Sequence, residues 1–259
     1  MGWKRRAFVL PHRYAETVQP VSYPDITPLL EAALPSMRRQ LDVVGQFASD
    51  LEKLAGPPPA PRWNQDWFAR LDAAVAYSLI RQERPGRILE IGSGHSTRFI
   101  ARAIADGALA THHMAIDPKP RASLDGLPVT WHRCPLQDMA PKALPDLAEG
   151  DVLFVDSSHL FVPGSDVDII FGQLIGRFPA GVLVHVHDVF LPDSYPADWS
   201  WRGYNEQSLV AMLLTSRAEP VFASHWIVTR HGHELASSIV DRLPLVTGAR
   251  ETSFWLRLT

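Results

Sequence analysis

Two short segments carry most of the residues in this chain that could move a proton or hold a cation. Asp156-Ser157-Ser158-His159 closes one apolar run, and His185-Val186-His187-Asp188 closes another. Asp156 and Asp188, ending adjacent strands of one sheet, would converge, and like charges that close need a proton or a cation between them. A divalent ion is one resolution, with Asp156 and Asp188 giving oxygen and His187 giving imidazole nitrogen as the third ligand. Magnesium prefers an all-oxygen set, so the histidine admits manganese, iron or zinc beside it. His159, three residues past Asp156, is the candidate base, because an imidazole with an ordinary pKa near 6.5 takes a proton from a hydroxyl at neutral pH. Each has a plainer alternative: Asp156 capping a turn, His187 hydrogen-bonded in the core, His159 steadying the turn at Gly164.

A third segment, Arg87-Ile-Leu-Glu-Ile-Gly-Ser-Gly-His-Ser-Thr-Arg98, reads as a buried strand running through a glycine turn into a helix. Ile88, Leu89 and Ile91 are the apolar run of a central parallel strand. Gly92 and Gly94 allow the backbone to approach a ligand, and Ser93, Ser96 and Thr97 put hydroxyls at a helix start. Thr97 stands where a dinucleotide signature has its third glycine, which counts against a nicotinamide cofactor. Glu90 lies two residues before the first glycine, and Ile116-Asp117 closes the next apolar run.

Glu-x-Gly-x-Gly with an acid closing the second strand resembles the class I S-adenosylmethionine-dependent methyltransferases. The resemblance implies that Glu90, Gly92, Ser93, Gly94 and Ser96 form the turn against the amino-acid end of S-adenosylmethionine, and that Asp117 accepts hydrogen bonds from the ribose hydroxyls. Gln137 is placed to reach the adenine, and Asp156 borders the same cofactor. The acids at 156 and 188 further resemble the metal-dependent O-methyltransferases that act on natural-product sugars and related hydroxyls. That likeness gives His159 the place of the base and makes Asp156 and Asp188 catalytic partners. It runs over roughly residues 63–259 and is strongest at 87–98, 111–118 and 151–190.

The elements that must position these groups alternate between strand and helix. Strands are expected at 87–91, 110–117, 129–134, 151–156, 181–188, 221–228 and 253–258. Helices are expected at about 96–107, 119–126, 138–148, 166–178 and 205–217. This pattern gives an α/β class: a doubly wound, mostly parallel seven-stranded sheet of the Rossmann-like methyltransferase type, with a hairpin-like C-terminal pair. Residues 1–61 read as an arm, a helical extension from Asp25 and a linker at Gly56-Pro-Pro-Pro-Ala-Pro61, ahead of a catalytic domain at 62–259. Asp66 is the expected cap of a helix through Arg81. The long segment 189–206 offers Tyr195, Trp199, Trp201 and Tyr204 as flat faces for a sugar or aromatic acceptor and Arg202 for a negative group. Asn205 and Glu206 are read as caps of the next helix.

With 259 residues, 46% of them hydrophobic, the chain can bury a sizeable core. Its 25 basic and 28 acidic residues balance to −3, which gives no electrostatic case for nucleic acid or an acidic membrane surface. Cys134 is the single cysteine, so no intrachain disulfide forms and a reducing compartment suits the chain. Neither an export signal nor a membrane-length apolar run is seen, and a soluble cytoplasmic protein is expected. The expected function is O-methylation of a small hydroxylated acceptor. Its rivals are an NAD(P)-dependent oxidoreductase on a similar sheet and an inactive methyltransferase-like binding scaffold. A homo-oligomer through the N-terminal extension or the 189–204 loop is the alternative use of those aromatics.

Overall fold

The computed structural model describes residues 13–14 and 17–259; the rest of the N-terminal arm lies outside the described residues. Five parallel strands form the body of the sheet: β1 (Arg87–Ile91), β2 (His112–Ile116), β3 (Thr130–His132), β4 (Val152–Val155) and β5 (Leu183–Val186). β6 (Ala218–Ala223) and β7 (Phe254–Leu258) complete it in the order β3-β2-β1-β4-β5-β7-β6, with β7 antiparallel to both of its neighbours. The order reverses direction at β1, which pairs with β2 on one side and β4 on the other. In open α/β sheets, ligands bind outside the carboxyl ends of the strands at such a switch point. β4 and β5 are buried along their whole length, as expected of strands covered on both faces.

α1 (Thr27–Gln46) and α2 (Ala48–Glu52) precede the sheet, and α1 packs on β6 and on α3 (Arg70–Glu83). Leu30, Met37 and Val44 of α1 are fully buried in the same core as Leu89, Phe154 and Trp255 of the sheet. Pro35 sits inside α1 without ending it. α4 (His95–Asp106) packs on α3, α6 (Gln207–Leu214) packs on β6, and α5 (Asp166–Ile169) continues through wider and tighter turns to Arg177.

Four expected elements differ. Residues 119–126 form turns and no helix. Residues 138–148 hold only single turns at Leu136–Asp138 and Pro141–Ala143, broken by Pro141 and Pro145. The sixth strand runs Ala218–Ala223 rather than 221–228, since its partner β7 starts at Phe254, opposite Ala223. Beyond that point the chain has no ladder to join and becomes α7 (Ser224–Arg230), burying Trp226 and Ile227. Asp66 is not a cap either: α3 begins at Arg70, and Gln65 closes the turn before it, its Oε1 accepting from Trp67 N–H (2.9 Å) and Phe68 N–H (2.8 Å). α8 (Ile239–Arg242) precedes the return to β7.

Candidate active site

The carboxyl ends of β1, β2, β4 and β5 open onto one cleft of about 1150 Å³. Its floor begins at the β1 turn. Gly92 has φ +80, and a Cβ there would lie 1.8 Å from the Asp156 carbonyl oxygen, so only glycine lets β1 and β4 approach this closely. Gly94, whose N–H donates to Thr97 Oγ1 (2.8 Å), starts α4 against the backbone of Arg121–Ala122 and does not line the cleft.

Glu90 does not face the ligand space. It is fully buried beneath the turn, its Oε1 accepting from Ser96 Oγ (2.8 Å) and Thr97 Oγ1 (3.0 Å), with Oε2 bonded to His113 Nε2 (2.8 Å). A buried carboxylate supplied with three partners is a brace, and it takes the hydroxyl of Ser96 with it. Both residues were expected to touch the cofactor; of the two, Ser96 still lines the cleft, whereas Glu90 lies beneath the turn and braces it. Asp117 lines the cleft half-buried; its Oδ2 accepts from Ser93 N–H (2.7 Å) and Ser93 Oγ (3.2 Å), and its Oδ1 from Lys119 N–H (2.6 Å). Four lone-pair sites with three occupied leave one for an incoming hydroxyl. Gln137, exposed in its own turn, borders the same space.

At the other end, His159 is 3% exposed and surrounded by carboxylates. Its Nδ1 lies 2.9 Å from Glu206 Oε2, while Nε2 lies 3.5 Å from Asp156 Oδ1 and 3.6 Å from Asp188 Oδ2. Burial disfavours a charged ring, but Asp156, Glu206 and Asp188 outweigh it and hold the His159 pKa well above 6.5. The same contacts act in reverse on Asp156. Burial would raise its carboxyl, and His187 and His159 bring it down to about 2. His159 (φ +59) and Asp188 (φ +56) both adopt the left-handed backbone conformation that side-chain-bearing residues seldom occupy. Thr252 Oγ1 donates to Asp188 Oδ1 (3.2 Å) and helps keep it there.

The expected metal set does not fit a divalent ion. Nε2 of His159 lies within 3.6 Å of both Asp156 and Asp188, so these two carboxylates already have a ring nitrogen as a shared partner. His187 has its Nε2 donating to the Trp67 carbonyl (3.1 Å), 3.8 Å from Asp188 Oδ1, and its Nδ1 3.4 Å from Ser253 Oγ, so both ring nitrogens have protein partners. Among the described residues no group of three or more His, Cys, Asp or Glu is arranged to hold a metal. His187 is instead part of a buried polar layer with His185, whose Nε2 lies 2.8 Å from the same Ser253 Oγ.

Glu206 is the residue that spacing conceals. It stands before α6 but makes no side-chain cap; its carboxylate is fully buried and turned to His159, 47 residues away. His95 was also missed. It is buried beside the β1 turn and lines the cleft with Nδ1 unpartnered, its pKa brought down to about 4 by burial and then by Arg98 and Arg62. Trp67 and Arg121, stacked at 4.0 Å, close the wall between the two ends.

Residues 89–189 match a family model described as a methyltransferase domain. Comparison with curated proteins gives no match. Among solved structures, the chain is similar to the methyltransferase PaMTH1 of Podospora anserina bound to SAH, at 18% identity over 84% of this chain and 88% of that one, TM-score 0.48. It is also similar to the O-methyltransferase of Bacillus cereus in complex with SAH, at 14% identity over 85% and 90% of the two chains, TM-score 0.44.

Proposed function

We propose that the chain transfers a methyl group from S-adenosylmethionine to the hydroxyl of a small acceptor, with His159 as the base, a reading supported by the match of residues 89–189 to a methyltransferase family model. The observation that carries this reading is that the glycine turn and Asp117 share one cleft with the His159–Glu206 pair. The donor set suits the cofactor. Asp117 has a lone-pair site free for a ribose hydroxyl, Gly92 has no side chain to keep a ligand off the turn, and His95 Nδ1 and Ser157 Oγ are buried beside the cleft without partners.

Bound S-adenosylmethionine would supply an electrophilic methyl on its sulfonium. The rest falls to the chain's own residues. Glu206 fixes the proton of His159 on Nδ1, so that Nε2 of the neutral ring faces the acceptor hydroxyl and takes its proton. Asp156 and Asp188 then stabilise the imidazolium that results, and no charge has to move further. Most of the acceleration comes from holding the acceptor in line, because methyl transfer itself asks little else of the protein. A cytoplasmic location accords with the lone cysteine, and no described helix is long and apolar enough to cross a membrane.

Calorimetry with SAH, S-adenosylmethionine and NAD tests the cofactor. Binding of the first two and not the third is expected. Tight NAD binding with no response to either of the others would overturn the reading.

A further inference from the structure

Arg202 is a cation in the cleft wall with an unfilled edge. Its Nη1 donates to Tyr204 Oη (3.0 Å), while its Nε is buried with no hydrogen-bond partner. Among the described residues no carboxylate lies within 4.0 Å of its guanidinium, and the nearby Asp198 is taken by Arg250 at 2.9 Å. Trp199 lies under the guanidinium at 4.0 Å and fixes its plane. The edge left over, Nε with Nη2, is the one that pairs side-on with a carboxylate through two parallel hydrogen bonds. A buried donor without a partner carries a desolvation cost that an anionic ligand would remove.

The position of Arg202 relative to His159 follows from Tyr204, which touches both. The Tyr204 ring packs at 4.6 Å from the His159 ring, and its hydroxyl accepts from Arg202. One phenol therefore separates the proposed base from the open cation. The groups around the base are acidic (Asp156, Asp188 and Glu206), so an anion is repelled there and attracted at the Arg202 wall.

We propose that the methyl acceptor is a small hydroxylated carboxylic acid, its hydroxyl directed at His159 Nε2 and its carboxylate held by the Nε–Nη2 edge of Arg202. This rests on the methyltransferase reading above and specifies the substrate class for the same cleft. It also orients the acceptor, its hydroxyl toward His159 and its carboxylate toward Arg202.

The test uses matched pairs, each a hydroxy acid beside its primary amide: one short aliphatic acid, one hydroxybenzoic acid and one hydroxycinnamic acid. Tritiated methyl transfer from S-adenosylmethionine is followed for the wild-type chain and for Arg202→Gln and Arg202→Lys, and binding of each compound to the SAH-loaded protein is measured by calorimetry. The expected result is at least a tenfold preference in kcat/KM, or in affinity, for the best acid over its amide. Arg202→Gln should bring that ratio toward one through a higher KM for the acid, and Arg202→Lys, which keeps the charge and loses the fork, should fall between. SAH affinity and melting temperature control for damage to the fold, and Arg202→Lys carries the test if the glutamine variant does not fold. Equal use of acid and amide, a preference that survives both substitutions, or the absence of binding by any of the acids would overturn the proposal. Failure of the methyltransferase reading is a separate signal, the lack of SAH binding; Arg202-dependent binding of the acids would then be read on the protein alone.

Discussion

The two ends of the cleft neutralise their carboxylates by different means. At the Asp117 end, Glu90 and Asp117 are satisfied mainly by neutral hydroxyls and backbone N–H groups, from Ser96 and Thr97 for Glu90 and from Ser93 and Lys119 for Asp117. At the His159 end, three carboxylates surround one buried imidazolium, and two of the residues involved hold left-handed backbone conformations. The first end is a set of short-range hydrogen bonds that shape a surface. The second is a cluster of buried charge assembled from distant segments and poised around a titrating group, which is where strain and shifted pKa values gather in functional sites.

Substitutions at the two ends should therefore separate binding from turnover. The largest effect is expected from His159→Gln, which should lower methyl transfer by about 10²–10⁴ while leaving SAH affinity as it was. An equal loss of cofactor affinity would break the separation between the two ends. Next is Glu90→Ala, which leaves the buried His113 ring and two hydroxyls without their acceptor. Each buried donor left unpaired should lower unfolding stability by about 1–3 kcal/mol in a denaturant titration. Asp117→Ala should weaken SAH binding by roughly 1.5–3 kcal/mol for each ribose hydrogen bond lost, with stability changed less than by Glu90→Ala.

A smaller effect sharpens the contrast through pH. The folded-state pKa of His159 is raised, and so is that of His187, where burial is outweighed by Asp156, Asp188 and Asp72. A raised histidine contributes stability that is fully present below the unfolded value of about 6.5 and is lost as pH climbs through the folded value. Melting temperature should fall as pH rises above 6.5, less steeply in His159→Gln than in the wild-type chain. A slope that is the same in both proteins would remove His159 from the linkage.

The Asp117 end was legible in the sequence because a glycine turn with its hydroxyls closes one strand and an acid closes the next, but the sequence does not show that Glu90 points beneath the turn or that Gly94 stands back from the cleft. A side chain alternates faces along a strand, and whether the buried face holds His113 and Ser96 depends on the neighbouring strand and helix. The His159 end was legible in its residue types but not in its pairing. Asp156, His159 and Asp188 do meet, with Nε2 of His159 within 3.6 Å of both acids, and the partner that fixes the ring is Glu206. His187 was drawn away by Trp67, 120 residues distant, a contact that no spacing rule contains. Strand–helix alternation gives the doubly wound class but not the strand order, and prolines at 141 and 145 break the helix that apolar patterning suggested at 138–148.

The most direct measurement is the initial rate of methyl transfer across pH, with the fastest acceptor and with EDTA present throughout. With His159 as base, activity should persist in the chelator and rise with pH above 6.5 as the imidazolium gives up its proton, and His159→Gln should remove that rise. Activity abolished by EDTA and restored by manganese, or a rise with pH that survives in His159→Gln, would contradict it.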